Sequence, residues 1–234
     1  MVRPIAICIS LALIAGPAAL AQPMQEIVVT AQRLSEYDPL KTPDVTLTKR
    51  ADFLLTKVEV VCDTRDESQR RSELRTTLRN MIAAARKDSR IQLGTGDDIV
   101  GLFDEGTIEK VIAPDKKADT SRATVLIKTA VTPADTFDQA TTRIRNFVER
   151  VPKVGRTEVL IDNDWELSII GPNQYRMQIA KLVADDAKTT SGLFGAGYAV
   201  EVEGLQLPVS WYQSGPLDLA LYIPYRLTIR PTVP

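Results

Sequence analysis

No histidine occurs anywhere in the chain, so the commonest general base and the commonest zinc ligand are both missing. Cysteine is nearly missing too, with 2 in all. Cys8 lies in an apolar N-terminal stretch and Cys62 in an alternating apolar run, where it reads as a small buried hydrophobe rather than a reactive thiol. Neither sign of charge dominates: Lys+Arg is 29 and Asp+Glu is 30. With no basic run interleaved with aromatics, nucleic-acid binding is not expected. A phosphate loop, a nucleophile elbow and an EF-hand ligand spacing are also lacking. The chain of 234 residues allows one large domain or two small ones, with ample apolar residues for a core.

What is present begins with Met1–Ala21, which has the form of a secretory signal. Arg3 gives the positive end, Ile5 to Ala15 the apolar middle, and Ala19-Leu20-Ala21 the small-x-small cleavage signature. The apolar run is short for a span and stops at Gly16-Pro17, and no later stretch suits a spanning helix. The expected mature chain is periplasmic or secreted, with outer-membrane association open, and in it Cys62 has no intrachain disulfide partner.

Residues 22–50 read as a flexible leader. Within it, Glu26-Ile27-Val28-Val29-Thr30-Ala31 resembles the TonB box of outer-membrane TonB-dependent transporters. In that family the box is an extended peptide that adds a strand to its periplasmic partner. The resemblance covers six residues, and it implies Ile27, Val28, Val29 and Thr30 as a strand-addition contact. The barrel of those transporters needs far more chain than is available here.

From Phe53 the pattern firms up. Leu54, Val58, Val60 and Cys62 fall on one side of a strand, opposite Lys57 and Glu59. Asp66 and Gln69 form a capping-box pattern ahead of a helix burying Leu74, Leu78, Met81, Ile82 and Ala85. Its other face carries Arg70, Arg71, Arg75, Arg79 and Arg86, read as solvated. Between Ile91 and Ala113 two short strands are expected, with hairpin turns at Gly94–Asp98 and Asp104–Gly106. Ala123–Val131 is the best strand, rich in β-branched residues. Thr132-Pro133-Ala134-Asp135 supplies helix-start chemistry for a helix burying Phe137, Ala140, Ile144, Phe147, Val148 and Val151.

Thr76 to Ile82 aligns weakly with Thr142 to Val148, which suggests two similar strand-helix units, about 51–120 and 121–234, on a common sheet. Thr157–Ile161 and Glu166–Ile170 read as strands flanking an Asp162-Asn163-Asp164 hairpin turn. A late helix carries Tyr175, Ile179, Leu182, Val183 and Ala187 on one stripe, stops at Gly192, Gly195 and Gly197, and passes to the alternating strand Tyr198–Glu203. Leu207–Tyr212 and Leu217–Ile229 are expected as a long aromatic hairpin, turning at Ser214-Gly215-Pro216, with an edge or bulge at Pro224. The fold class is α+β: an antiparallel or mixed sheet with three amphipathic helices on one side.

This order resembles the SIMPL-domain family, secreted bacterial proteins described as oxidative-stress defence proteins. A signal is followed by strand plus helix (Val58 to Arg86), another strand plus helix (Ala123 to Val151) and a late helix. In that late helix Arg176, Ala180, Ala184-Asp185 and Ala187-Lys188 resemble the family's alanine-rich helix before a glycine loop and strand. The likeness covers about 50–230, and the opening strand differs, being Val45-Thr46-Leu47-Thr48 here. It implies a 51–234 domain of SIMPL type, self-assembly in the periplasm, a non-enzymatic role in stress defence, and no catalytic residues to transfer.

The expected function is therefore a secreted, non-enzymatic envelope protein that forms a homo-oligomer or binds a partner, with no cofactor or metal. The candidate oligomer interface is Trp211, Tyr212, Tyr222 and Tyr225. The alternative is a TonB-linked import accessory acting through Ile27–Thr30. A carboxylate-dependent hydrolase ranks last. Its available pairs are Asp162 with Asp164, which would share a strand face about 7 Å apart if the strand continued, and Asp185 with Asp186, adjacent on a helix and not facing each other.

Overall fold

The computed structural model describes residues 28–29, 44–96 and 99–232. The signal-like stretch 1–21 and most of the leader, including Ile27 and Thr30, lie outside the described residues, as do Asp97 and Asp98 of the first acidic turn. In chain order the strands are β1 (Val28–Val29), β2 (Leu47–Arg50), β3 (Phe53–Cys62), β4 (Ile91–Thr95), β5 (Ile99–Leu102), β6 (Ile112–Pro114), β7 (Ser121–Ala130), β8 (Thr157–Ser168), β9 (Tyr198–Glu203), β10 (Ser210–Gln213), β11 (Asp218–Tyr222) and β12 (Arg226–Pro231). The helices are α1 (Glu67–Ala85), the short α2 (Ile108–Val111), α3 (Phe137–Arg150) and α4 (Arg176–Gly192). The class is α+β, as the sequence predicts, and the recorded strand pairs are all antiparallel.

The main sheet runs β1-β5-β4-β7-β3-β8, with β6 also on β7. β3 lies between β7 and β8, and its alternation decides which face is dry. Leu54, Val58, Val60 and Cys62 are buried on the core face, next to Ala123, Val125 and Ile127 of β7 and Trp165 and Leu167 of β8. Onto this face come Leu74, Leu78, Met81 and Ile82 of α1 and Ala140, Ile144, Phe147 and Val148 of α3; the same apolar cluster takes in Ile179 and Val183 of α4, which packs beside β9. The two strand-helix units suggested by the faint repeat are β3–α1 and β7–α3, on adjacent antiparallel strands. The aligned positions Leu78 and Ile144, Met81 and Phe147, and Ile82 and Val148 are all buried.

Several local expectations are corrected. Asp162-Asn163-Asp164 is no hairpin turn; it is a bulge inside the continuous strand β8, three residues facing the single Lys57 of β3. Three against one leaves an even excess, so Trp165 and Leu167 on one side and Val159 and Ile161 on the other keep the same face. The Thr56 hydroxyl bonds the Asp162 carbonyl and fixes the bulge. The Asp104 turn opens α2 rather than a hairpin, because the Asp104 carboxylate accepts from the Thr107 amide at 3.1 Å. Helix α3 starts later than Thr132-Pro133 suggests. Its N-cap is Thr136, in a reciprocal capping box with Gln139. Thr132 instead directs its amide and hydroxyl at the Asp135 carboxylate, 2.7 and 2.9 Å away.

The predicted long C-terminal strand is two strands in different sheets. Only β10 and β11 form the expected hairpin, and β2 completes that three-stranded sheet on the far side of β11. β2 falls within the expected leader, so the ordered domain starts before residue 51. At Pro224, which has no amide to give to a ladder, the chain leaves that sheet, and β12 pairs with β9 across six residue pairs. Gly204 makes this crossing possible. Its φ is 97°, and a side chain there would strike the Pro224 carbonyl. Two side chains also differ from expectation: Arg70 is buried and Leu182 is exposed.

The cap on α3 is directly checkable. Thr136→Ala is expected to lower stability by about 1 kcal/mol in urea melts, whereas Thr136→Ser, which keeps the accepting oxygen, stays within about 0.5 kcal/mol.

Candidate functional site

The aromatic strands divide between two faces. Trp211 and Gln213 lie opposite Leu221 and Leu219, both fully buried, so this face of β10 turns inward. Trp211 packs on the core, and its indole N–H and the Gln213 amide oxygen are buried with no hydrogen-bond partner among the described residues. Tyr212 and Tyr222 occupy the opposite face, their rings 6.1 Å apart and tilted by 53°. Tyr225 packs against the core, with Asp186 and Asp44 near its phenol. Burial, together with the negative charges of Asp186 and Asp44, raises the Tyr225 phenol above its ordinary value. Burial first and then the neighbouring Tyr212 do the same for Tyr222. Of the four predicted interface residues, the structure brings only Tyr212 and Tyr222 together, both half-buried, on the face of the β10–β11 pair opposite Trp211.

Val28–Val29, the described part of the TonB-box-like segment, already forms a strand. Val28 pairs with Val100 and Val29 with Ile99, at the outer edge of β5. Among the described residues the opposite edge of the main sheet is β8.

The carboxylate pairs take up structural positions. Asp162 and Asp164 are both exposed on the β8 bulge, where the Asp164 amide donates to Asp162 Oδ1 at 3.3 Å. Asp185 is exposed on α4, while its neighbour Asp186 is half-buried near Tyr225.

A polar centre that sequence reading missed lies where β3 ends. Glu73, on α1, points its carboxylate inward and is buried. Oε2 accepts from the Thr64 hydroxyl (2.6 Å), the Cys62 thiol (3.2 Å) and the Arg156 amide (3.2 Å), and Oε1 accepts from Gln69 Nε2 (2.9 Å). These donors, with Thr64 foremost, outweigh the cost of burial and lower the Glu73 carboxyl from 4.5 to about 2. Cys62 thus serves as a buried donor. Gly155 closes the site: its φ is 60°, and a side chain there would collide with the Glu73 carboxylate. Outside it, Arg156 clasps Asp63 through two bonds of 2.6 and 2.9 Å. Arg70 reaches Ser121 Oγ at 2.9 Å and the Thr64 carbonyl at 2.8 Å, which explains why it leaves the solvated row. Arg71 and Arg75 share Glu109 of α2. The sequence signal for this centre is slight, since an acidic residue inside an Arg-rich helix resembles ordinary surface charge.

A second charged node joins the two sheets. Arg143 and Asp135 form a pair at 2.5 Å with side chains only 11% and 10% exposed. Burial works against the Asp135 carboxylate, but bonds from Thr132 and Arg143 hold it below its usual range. Arg50 of β2 donates to the Thr132 carbonyl at 3.0 Å and to the Asp135 carbonyl. Arg90, Asp138, Asn146 and Arg150 extend this node into an open groove of about 990 Å³ along α3.

No family model, curated protein or solved structure matches the chain. Among the described residues no group of metal-ligating side chains is assembled, and no helix is long and apolar enough to cross a membrane.

The Glu73 centre makes a pH prediction. Because the folded carboxyl is lowered from 4.5 to about 2, its stabilisation is complete above about pH 4.5 and is lost as the pH falls toward 2. Glu73→Gln is expected to be less stable at neutral pH and to show a flatter loss across that acid window, measured by chemical denaturation at each pH.

Proposed function

We propose that the chain is a non-enzymatic module of the cell envelope that self-assembles through the β10 edge, with Tyr212 and Tyr222 beside it. The observation that carries this reading is a contrast between two strand edges. β8 has the features that blunt an edge: the Asp162–Asp164 bulge and the exposed carboxylate of Glu158. β10 has none of them. Its sequence, Ser210-Trp211-Tyr212-Gln213, has no charge, no proline and no bulge, and among the described residues it pairs only with β11. An uncharged aromatic edge of this kind suits a two-fold contact with a second copy of the chain. The SIMPL resemblance adds a periplasmic or secreted setting and a role in envelope stress defence.

A second reading draws on β1. A segment that already adds two residues to a sheet edge can add to a partner's edge by the same backbone bonds, and a two-residue pairing is weak enough to exchange. It makes the chain a TonB-linked import accessory.

The first reading is tested by absolute mass in solution, from light scattering after size exclusion. A defined, concentration-independent oligomer is expected, and Tyr212→Ser with Tyr222→Ser should shift it toward monomer without loss of circular dichroism. An unchanged mass in that variant would remove this interface. For the second reading, deletion of Glu26 to Ala31 should abolish crosslinking to TonB, and persistent crosslinks would end it.

A further inference from the structure

One stretch of the late helix-to-strand connection is used by neither reading. From Thr189 to Val200 the sequence is Thr-Thr-Ser-Gly-Leu-Phe-Gly-Ala-Gly-Tyr-Ala-Val, twelve residues without a charge, bounded by Lys188 and Glu201. Three large apolar side chains stand in water there: Leu193 is 82% exposed, Phe194 52% and Tyr198 43%. Single exposed apolar residues are ordinary, but three within six positions form a patch that calls for a partner. The Phe194 and Tyr198 rings lie 5.9 Å apart and make one aromatic surface with Leu193 beside it in sequence.

The glycines show that this patch is a convex tip. A side chain built at Gly192, Gly195 or Gly197 would meet nothing within 4 Å, so the loop stands clear of the rest of the molecule. Gly195 is required by its φ of 86°, whereas Gly192 and Gly197 lie outside the left-handed region. Neither backbone conformation nor space demands glycine at those two positions. Their effect is to leave the flanks bare, so that Leu193, Phe194 and Tyr198 are the first groups any approaching surface meets.

Part of the tip's backbone is bonded within the loop. The amides of Leu193 and Phe194 donate to Thr190 and Ser191 carbonyls at 3.1 Å each, and that of Tyr198 to Gly195 at 3.3 Å. The amide of Thr232 donates to the Gly197 carbonyl at 2.8 Å and ties the loop to the end of β12. These bonds lower the cost of placing the loop at the headgroup boundary, where the Ala196 and Gly197 amides, which donate to no backbone carbonyl among the described residues, still meet water. A convex, uncharged tip needs no complementary pocket, and a tyrosine behind it suits the polar boundary of a bilayer.

We propose that Leu193–Tyr198 is a membrane-contacting tip that inserts Leu193 and Phe194 into the interfacial layer of a lipid surface, without preference for anionic headgroups. The contact does not depend on the oligomer reading. The test uses the full chain carrying Phe194→Trp, with vesicles of phosphatidylcholine and phosphatidylethanolamine. The resident Trp165 and Trp211 are buried and half-buried, so the new indole reports the tip. Its emission should shift to the blue with vesicles, be quenched by brominated lipid, and persist at about 0.5 M salt, where surface electrostatics are screened. Leu193→Ser with Phe194→Ser should weaken vesicle binding about tenfold or more while leaving the melting curve unchanged. An unshifted emission from the introduced indole would overturn the proposal, as would vesicle binding retained in the double-serine variant. Binding confined to anionic lipid and lost in salt would overturn it too. A blue shift seen only with a protein fraction would overturn it by assigning the tip to a protein groove.

Discussion

The molecule depends on β3 being paired along both sides. Its ten residues meet β7 at every position and β8 at all but the bulge, so both helices of the strand-helix units are set by the pleat of one central ladder. At its start, the chain arrives from the smaller sheet through Ala51 and Asp52. The Ala51 amide donates to Leu217, the Asp52 amide to Ser168, and the Asp52 carbonyl accepts from Val131. The Asp52 carboxylate takes the Ile170 amide at 2.7 Å. One residue thus ties β7, β8 and the crossover between sheets, and its backbone groups could not be left unpaired there without the cost of a buried polar group.

Charge works as fastening in this fold. At the far end of β3, Glu73 collects donors from β3, the loop after it, α1 and the entry to β8; at the near end, Asp135, Arg143 and Arg50 join the β7–α3 turn to β2. Both carboxylates are well supplied with donors, so each charge is held by several bonds rather than by one ion pair. Such centres resemble catalytic constellations in composition. In this chain the Glu73 centre is turned inward and sealed by Gly155, while the Asp135–Arg143 node borders the open groove along α3.

The bulge in β8 links structure to behaviour. A strand of 12 residues at the end of a sheet invites pairing with another chain. Two extra residues at Asp162–Asp164 bend it and place carboxylates on it while Trp165 and Leu167 stay in phase with Val159 and Ile161. β10, four residues long, lacks that protection. The unequal treatment of the two edges is what gives the assembly reading its direction.

Much of this was legible in the sequence, because local periodicity dictates which side chains share a face. The strand Leu54–Cys62, the stripe Leu74–Ile82, the helix burying Ile144 and Phe147, and the buried Cys62 all follow from spacings of 2 and 3.6 residues. Residues whose role depends on a distant partner were not legible. Asp162-Asn163-Asp164 has turn chemistry, and only the continued pairing to β3 makes it a bulge. Arg70 sits in a basic row, and only Ser121 and the Thr64 carbonyl draw it inside. Pro224 announces an interruption but not that the next strand joins β9. The sequence by itself determined the α+β class, the core faces and the glycine stop after the late helix, since these rest on neighbours along the chain. Tertiary structure alone decided which carboxylates are buried, which aromatics face outward and which edges stay open, because each depends on contacts between residues far apart in sequence.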